Sequence, residues 1–84
     1  MITIKILGSG CENCKRLAIL TERAVTHLGI EAQVIKVTEY LEIMKYNILS
    51  TPGLVINEKL VSAGRIPSLA EITSWLTSAE IQTA

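Results

Sequence analysis

Gly8-Ser9-Gly10-Cys11-Glu12-Asn13-Cys14 separates two different patterns. Ahead of it, Ile2 to Leu7 alternates like a strand, and its isoleucine content points to burial on both faces. Behind it, apolar or small residues recur at Leu17, Ala18, Thr21, Ala24, Val25 and Leu28, which is helical spacing. Gly29 is a natural C-terminal stop, and Lys15, Arg16, Glu22 and Arg23 fall on the side facing water. Gly8 and Gly10 permit a tight turn between the two elements. The stretch is therefore a strand-to-helix turn. It holds both cysteines of the chain, spaced Cys-x-x-Cys, with Cys11 near the helix N-terminus. Unpaired N–H groups and the positive end of the helix dipole favour an anion there. A thiolate is such an anion and is the reactive form of cysteine. Two cysteines at this spacing can also close a disulfide across one helical turn.

Outward from this turn, Ala32 to Val37 is rich in β-branched residues and reads as a second strand. Thr38 can cap a short helix from about Glu39 to Tyr46, with Leu41 and Met44 or Lys45 on its turns. Asn47 can end that helix in a left-handed conformation. Thr51-Pro52-Gly53 leads into a third strand at Leu54-Val55-Ile56. Asn57-Glu58 signals a tight turn, and Lys59-Leu60-Val61-Ser62 is the return strand of a hairpin. After a break at Gly64, Pro67 suits the first turn of a last helix, whose apolar face is Leu69, Ile72, Trp75 and Leu76. The order β-α-β-α-β-β-α predicts an α/β fold. A right-handed parallel unit comes first, an antiparallel hairpin extends the sheet, and helices cover both faces.

The chain has 84 residues, which predicts a single domain over 1–84. At 49% hydrophobic it is no disordered segment. With no Phe, its core is expected to rest on Ile, Leu and Val. Tyr40 and Tyr46 are expected to pack, Trp75 to anchor the last helix, and His27 to face water near a helix C-terminus. Formal net charge is zero, so no basic nucleic-acid footprint is evident. The start of the chain is too short for the apolar core of a signal peptide, and no run approaches the ~18 apolar residues of a membrane span. The expected location is the cytoplasm, without membrane or nucleic-acid partners and as a monomer. In a reducing compartment, Cys-x-x-Cys is catalytic or metal-binding more often than a structural staple.

Several chemistries fit the two thiols: a redox dithiol, half of a metal site, a structural disulfide, or inert core thiols. A zinc site requires four ligands, whereas the chain offers Cys11, Cys14 and a distant His27. Two thiolates can hold Cu(I) linearly, and copper-chaperone domains also place Gly-x-x-Cys-x-x-Cys after their first strand. The first 37 residues fit that reading. The pattern after residue 38 does not, because such domains continue there with strands around one helix.

Taken together, Cys11-Glu12-Asn13-Cys14 after the first strand and Thr51-Pro52 just before the third resemble the thioredoxin fold. The chain is most similar to the small prokaryotic thioredoxin-like proteins described as redox-active disulfide proteins, over about residues 1 to 78. The resemblance implies a four-stranded mixed sheet and a thiol–disulfide oxidoreductase without bound cofactor or metal. It implies that Cys11 attacks a substrate disulfide and that Cys14 resolves the mixed disulfide. It makes Pro52 a cis-proline beside Cys11, with the backbone of Thr51 pairing with the partner's extended chain. Gly10, Glu12 and Asn13 are then further substrate-contacting candidates. The implied partners are protein disulfides and a disulfide reductase, either thioredoxin reductase or the glutathione system. A Cu(I) or Zn(II) carrier and a redox-sensing interaction module are the alternatives. The sequence differs from true thioredoxins in having Gly10 where they carry Trp. It differs from glutaredoxins in having Ser62-Ala63-Gly64-Arg65 where they carry Gly-Gly with an acidic residue.

Overall fold

A computed structural model describes residues 2–8, 10–48 and 50–83. The elements are β1 (Ile2–Leu7), α1 (Glu12–Leu28), β2 (Ala32–Val37), α2 (Tyr40–Met44), β3 (Gly53–Ile56), β4 (Lys59–Ala63) and α3 (Leu69–Thr83). The sheet order is β2-β1-β3-β4. β1 runs parallel to β2 and antiparallel to β3, and β3 runs antiparallel to β4. β1 is thus an interior strand, in keeping with its isoleucines, and its C-terminal end delivers the chain to the cysteine turn.

Side-chain alternation splits the core in two. Ile2, Ile4 and Ile6 of β1, with Leu54 and Ile56 of β3, meet Leu17, Ala18 and Ala24 of α1 and Ile72, Leu76 and Ala79 of α3. The two long helices therefore share one face of the sheet. On the other face Leu7 and Val55 pack against Ile43 of α2 and Ile48 after it. Thr21 lies on the buried stripe of α1 because its Oγ1 donates to the carbonyl of Leu17 at 2.8 Å, which satisfies the hydroxyl.

Four local expectations need correction. The second helix spans only Tyr40–Met44, and its N-cap is Glu39 rather than Thr38, with no side-chain capping bond. So short a helix can aim one residue inward, and that residue is Ile43, while Leu41 and Met44 are exposed. Tyr40 is also exposed, whereas Tyr46 is half-buried and does pack. Finally, Pro67 precedes the last helix instead of opening it. The N-cap position is Ser68, and Leu69 faces outward. Asn47 does adopt a left-handed conformation, φ 56°, a few residues past the end of α2.

The hairpin turn has φ 49° at Asn57 and 68° at Glu58, a type I′ arrangement that matches strand twist. Asn57 is fixed from both sides: its N–H donates to the Thr3 carbonyl, and its Oδ1 accepts from the Thr3 N–H. Lys5 Nζ pairs with Glu58 Oε1 at 2.6 Å, and the Tyr46 hydroxyl accepts from Lys5 and donates to Glu58. These bonds push the Lys5 ammonium above its usual range and the Glu58 carboxyl below its own, each chiefly through the other.

Ser68 and Glu71 form a capping box: the Glu71 N–H donates to Ser68 Oγ, and the Ser68 N–H to Glu71 Oε1. Arg65 grips the same carboxylate with two bonds, Nη1 to Oε1 at 3.2 Å and Nη2 to Oε2 at 2.8 Å. Arg65 first, and the Ser68 N–H second, hold the Glu71 carboxyl down to about 2. A carboxyl depressed in the folded state adds stability above its unfolded value, near 4.5, and loses it as pH falls toward about 2. Glu71→Gln is therefore expected to lower the melting temperature at neutral pH and to flatten its decline between pH 4.5 and 2. Parallel wild-type and variant curves of melting temperature against pH would exclude this linkage.

Candidate active site

Gly10 and the two cysteines form a compact unit at the start of α1. Gly10 has φ +85°, a backbone conformation that favours glycine, and this swings the chain from the end of β1 into α1. Cys11 is the N-cap of α1, with extended backbone. Its Sγ accepts the N–H of Cys14 at 3.1 Å, and its carbonyl accepts the N–H of Lys15, the first bond of the helix. The two sulfurs are bonded to one another, with Cα atoms 5.0 Å apart. Their environments are unequal: Cys11 is exposed, whereas Cys14 retains 5% exposure. The cause is the helix itself. Its first residues stand clear of the sheet, and Cys14 is the first to point back at it.

Gly8 makes room for the buried sulfur. A Cβ added there would fall onto Cys14 Sγ and come within 3.8 Å of the Thr51 Cβ. The N–H of Gly8 donates to the carbonyl of Val37, which ties the turn to β2. Leu7 pairs with Gly53, so Thr51 and Pro52 come alongside the turn as β3 begins. The peptide bond between Thr51 and Pro52 is cis. Pro52 is fully buried and its carbonyl accepts the N–H of Gly64, while Thr51 is exposed. Among the described residues no backbone group pairs with that of Thr51.

The structure thus brings Cys11, Cys14, Gly10 and Thr51 to one end of the sheet. Glu12 and Asn13 stand exposed in the first turn of α1, beside Lys15 and Arg16. Three features were not read from the sequence. Gly8 is the packing partner of Cys14, and its place one residue past a buried strand was the available clue. Thr38 and Lys36, at the end of β2, line a cavity of about 140 Å³ together with Gly8, Gly10 and Cys14. A larger cavity, about 740 Å³, lies beside Thr51 and is lined by Tyr40, Ile43, Met44 and Ile48.

This fold and its paired thiols are those of the thioredoxin class, and comparison with known proteins agrees. A model of the thioredoxin domain family matches residues 2–77. A thioredoxin of Methanocaldococcus jannaschii is 38% identical over 78 residues, covering 93% of this chain and 90% of that protein. A thioredoxin of Methanothermobacter thermautotrophicus is 36% identical over 77 residues, covering 92% and 100%. Among solved structures, thioredoxin-2 of a malaria parasite superposes with a TM-score of 0.68 at 12% identity, over 93% of this chain and 82% of that one. The oxidised thioredoxin of Plasmodium falciparum gives 0.58 at 24% identity, over 99% and 82%. The chain belongs to the thioredoxin family and is a thiol–disulfide oxidoreductase. The copper-chaperone alternative required a different chain course after residue 38, and the chain instead supplies α2, the hairpin and α3.

Proposed function

We propose that Cys11 is the attacking thiol and Cys14 the resolving one, and that the observation carrying this is their unequal exposure at the start of α1. The thiolate of Cys11 attacks one sulfur of a protein disulfide. The other substrate sulfur leaves as a thiolate and takes a proton from solvent. Cys14, once deprotonated, attacks Cys11 Sγ, closes the intramolecular disulfide and releases the second substrate thiolate. Two electrons pass from the protein dithiol to the substrate, and no cofactor enters the exchange.

The backbone of Thr51, which has no backbone partner among the described residues, accepts the substrate as a short added strand, with buried Pro52 fixing its direction. Gly10, Glu12 and Asn13 form the rim nearest the attacked bond. The protein works as a one-domain monomer in the cytoplasm, where a disulfide reductase returns it to the dithiol. No described helix is long and apolar enough to cross a membrane. The test is to mix the oxidised protein with thioredoxin reductase and NADPH, and separately with glutathione, glutathione reductase and NADPH. Continuing NADPH loss on adding a protein disulfide is expected with one of the two systems. Absence of turnover with both would remove the reductase from the scheme.

A further inference from the structure

We propose that Lys36 is a positioning residue for the second half of the exchange: its ammonium, at the small cavity beside Cys14, favours loss of that thiol's proton and so hastens its attack on Cys11. This rests on the order of attack proposed above. Lys36 stands at a register position that faces the core. Ala32 and Val34, earlier on β2, pack against the cluster under α1 and α3. Alternation carries the same face on to Lys36, whose Cα partner is Ile6 of that cluster. Val37 packs on the other face. An apolar residue would continue the pattern. The lysine found there instead lines the cavity of about 140 Å³ together with Ile6, Gly8 and Cys14. Lys36 is nevertheless exposed, as a long side chain is when its ammonium stays in water.

Cys14 gains from such a neighbour because it is 5% exposed, and burial disfavours the charged form of a thiol. Only the thiolate attacks. Among the described residues no carboxylate lines the cavity; its titratable lining is Cys14, Lys15 and Lys36. Glu12, in the same turn of α1, is exposed and does not line it. Lys5 of β1 is turned to the other face, where Tyr46 and Glu58 hold it. A lysine is an ammonium near neutral pH, so it offers charge rather than a lone pair. Lys15 adds its charge from α1 itself, whereas Lys36 acts from the facing strand. In the mixed disulfide the Cys14 proton passes to solvent through the cavity, which has room for water. The thiolate then bonds to Cys11 Sγ, and the bond from Cys11 to the substrate sulfur breaks. The substrate leaves as a thiolate that solvent protonates. Lys36 neither gives nor takes a proton.

The test is stopped-flow release of thiopyridone from an uncharged dipyridyl disulfide, in slight excess over the reduced protein. The first release reports attack by Cys11 and depends on concentration. The second reports resolution by Cys14 and does not. At neutral pH the second phase is expected to be about threefold slower in Lys36→Met and about tenfold slower in Lys36→Glu, with Lys36→Arg within about twofold of the wild type. The ultraviolet titration of the Cys14 thiol in Cys11→Ser should move to higher pH on adding Lys36→Met, and further on adding Lys36→Glu. A loss of packing alone would not follow the order of charge. A second phase as fast in Lys36→Glu as in the wild type, an equal slowing in Lys36→Arg, or a titration indifferent to the charge at this position would overturn the role of Lys36 and leave the order of attack standing. A second phase that persists in Cys14→Ser would overturn that order.

Discussion

Mixed with an excess of protein disulfide, Cys14→Ser is expected to accumulate a covalent adduct through Cys11, while Cys11→Ser accumulates none and reduces nothing. The reason lies in the two positions along the helix. Cys11 is the exposed N-cap, open to an incoming sulfur, and it receives the N–H of Cys14. That donor comes from the backbone, so it survives replacement of the Cys14 side chain, and the Cys11 sulfur keeps its helix-terminal stabilisation. What the variant loses is the buried second sulfur, three residues on. A mixed disulfide then has no internal attacker and waits for an external thiol. In Cys11→Ser the remaining thiol is Cys14, recessed against Gly8 and out of reach of a protein substrate. Non-reducing gels with and without dithiothreitol measure both outcomes. An adduct forming on Cys11→Ser instead would reverse the assignment.

Gly8→Ala is expected to damage stability and exchange together, although residue 8 bears no reactive group. The added methyl would land on Cys14 Sγ and touch its Cβ at 3.2 Å. Gly8 is itself buried and its N–H is held by Val37, so the backbone has little freedom to retreat. Overpacking of this kind destabilises by about 1–3 kcal/mol. In a domain of this size each kcal/mol lowers the melting temperature by about 4–8 °C. Cys14 is the group that must move, and it is also the sulfur to which we assign the resolving step. Exchange should therefore slow at temperatures where the variant is still folded, with mixed disulfides persisting longer than in the wild type. Calorimetry and the same gels read the two effects; wild-type values in both would mean that the turn relaxes freely.

The parts legible in the sequence were those whose signal is local and periodic. Ile2 to Leu7 and Leu17 to Leu28 repeat at strand and helix spacing, and Asn57-Glu58 carries its own turn chemistry; each forms as read. Gly29 is likewise the left-handed C-cap of α1. Misread positions were those decided by what lies across the fold. Tyr40 and Leu41 belong to a helix of one turn, too short for periodicity, and Ile43 alone is claimed by Leu7 and Val55. Pro67 stood out as a helix starter, yet the Ser68–Glu71 box next to it sets the boundary, and Arg65 reinforces it from outside the helix. Both cysteines were placed by the strand and helix patterns on either side of them. The two cavities near them were not legible, because Gly8 and Cys14 meet Lys36, and Thr51 meets Tyr40 and Ile48, only when β1 draws β2 and β3 to its sides.

The recessed position of Cys14 also bears on damage by peroxide. An exposed thiolate such as that of Cys11 is the first target of such oxidants, and its initial product is a sulfenic acid. Left alone, that group proceeds to sulfinic and sulfonic acids, which ordinary reductants do not reverse. Here the oxidised sulfur has Cys14 within bonding reach. Condensation of the sulfenic acid with that thiol expels water and gives the same disulfide that substrate turnover produces. An oxidative hit is thereby returned to the normal cycle, and the buried thiol protects its exposed neighbour from irreversible loss.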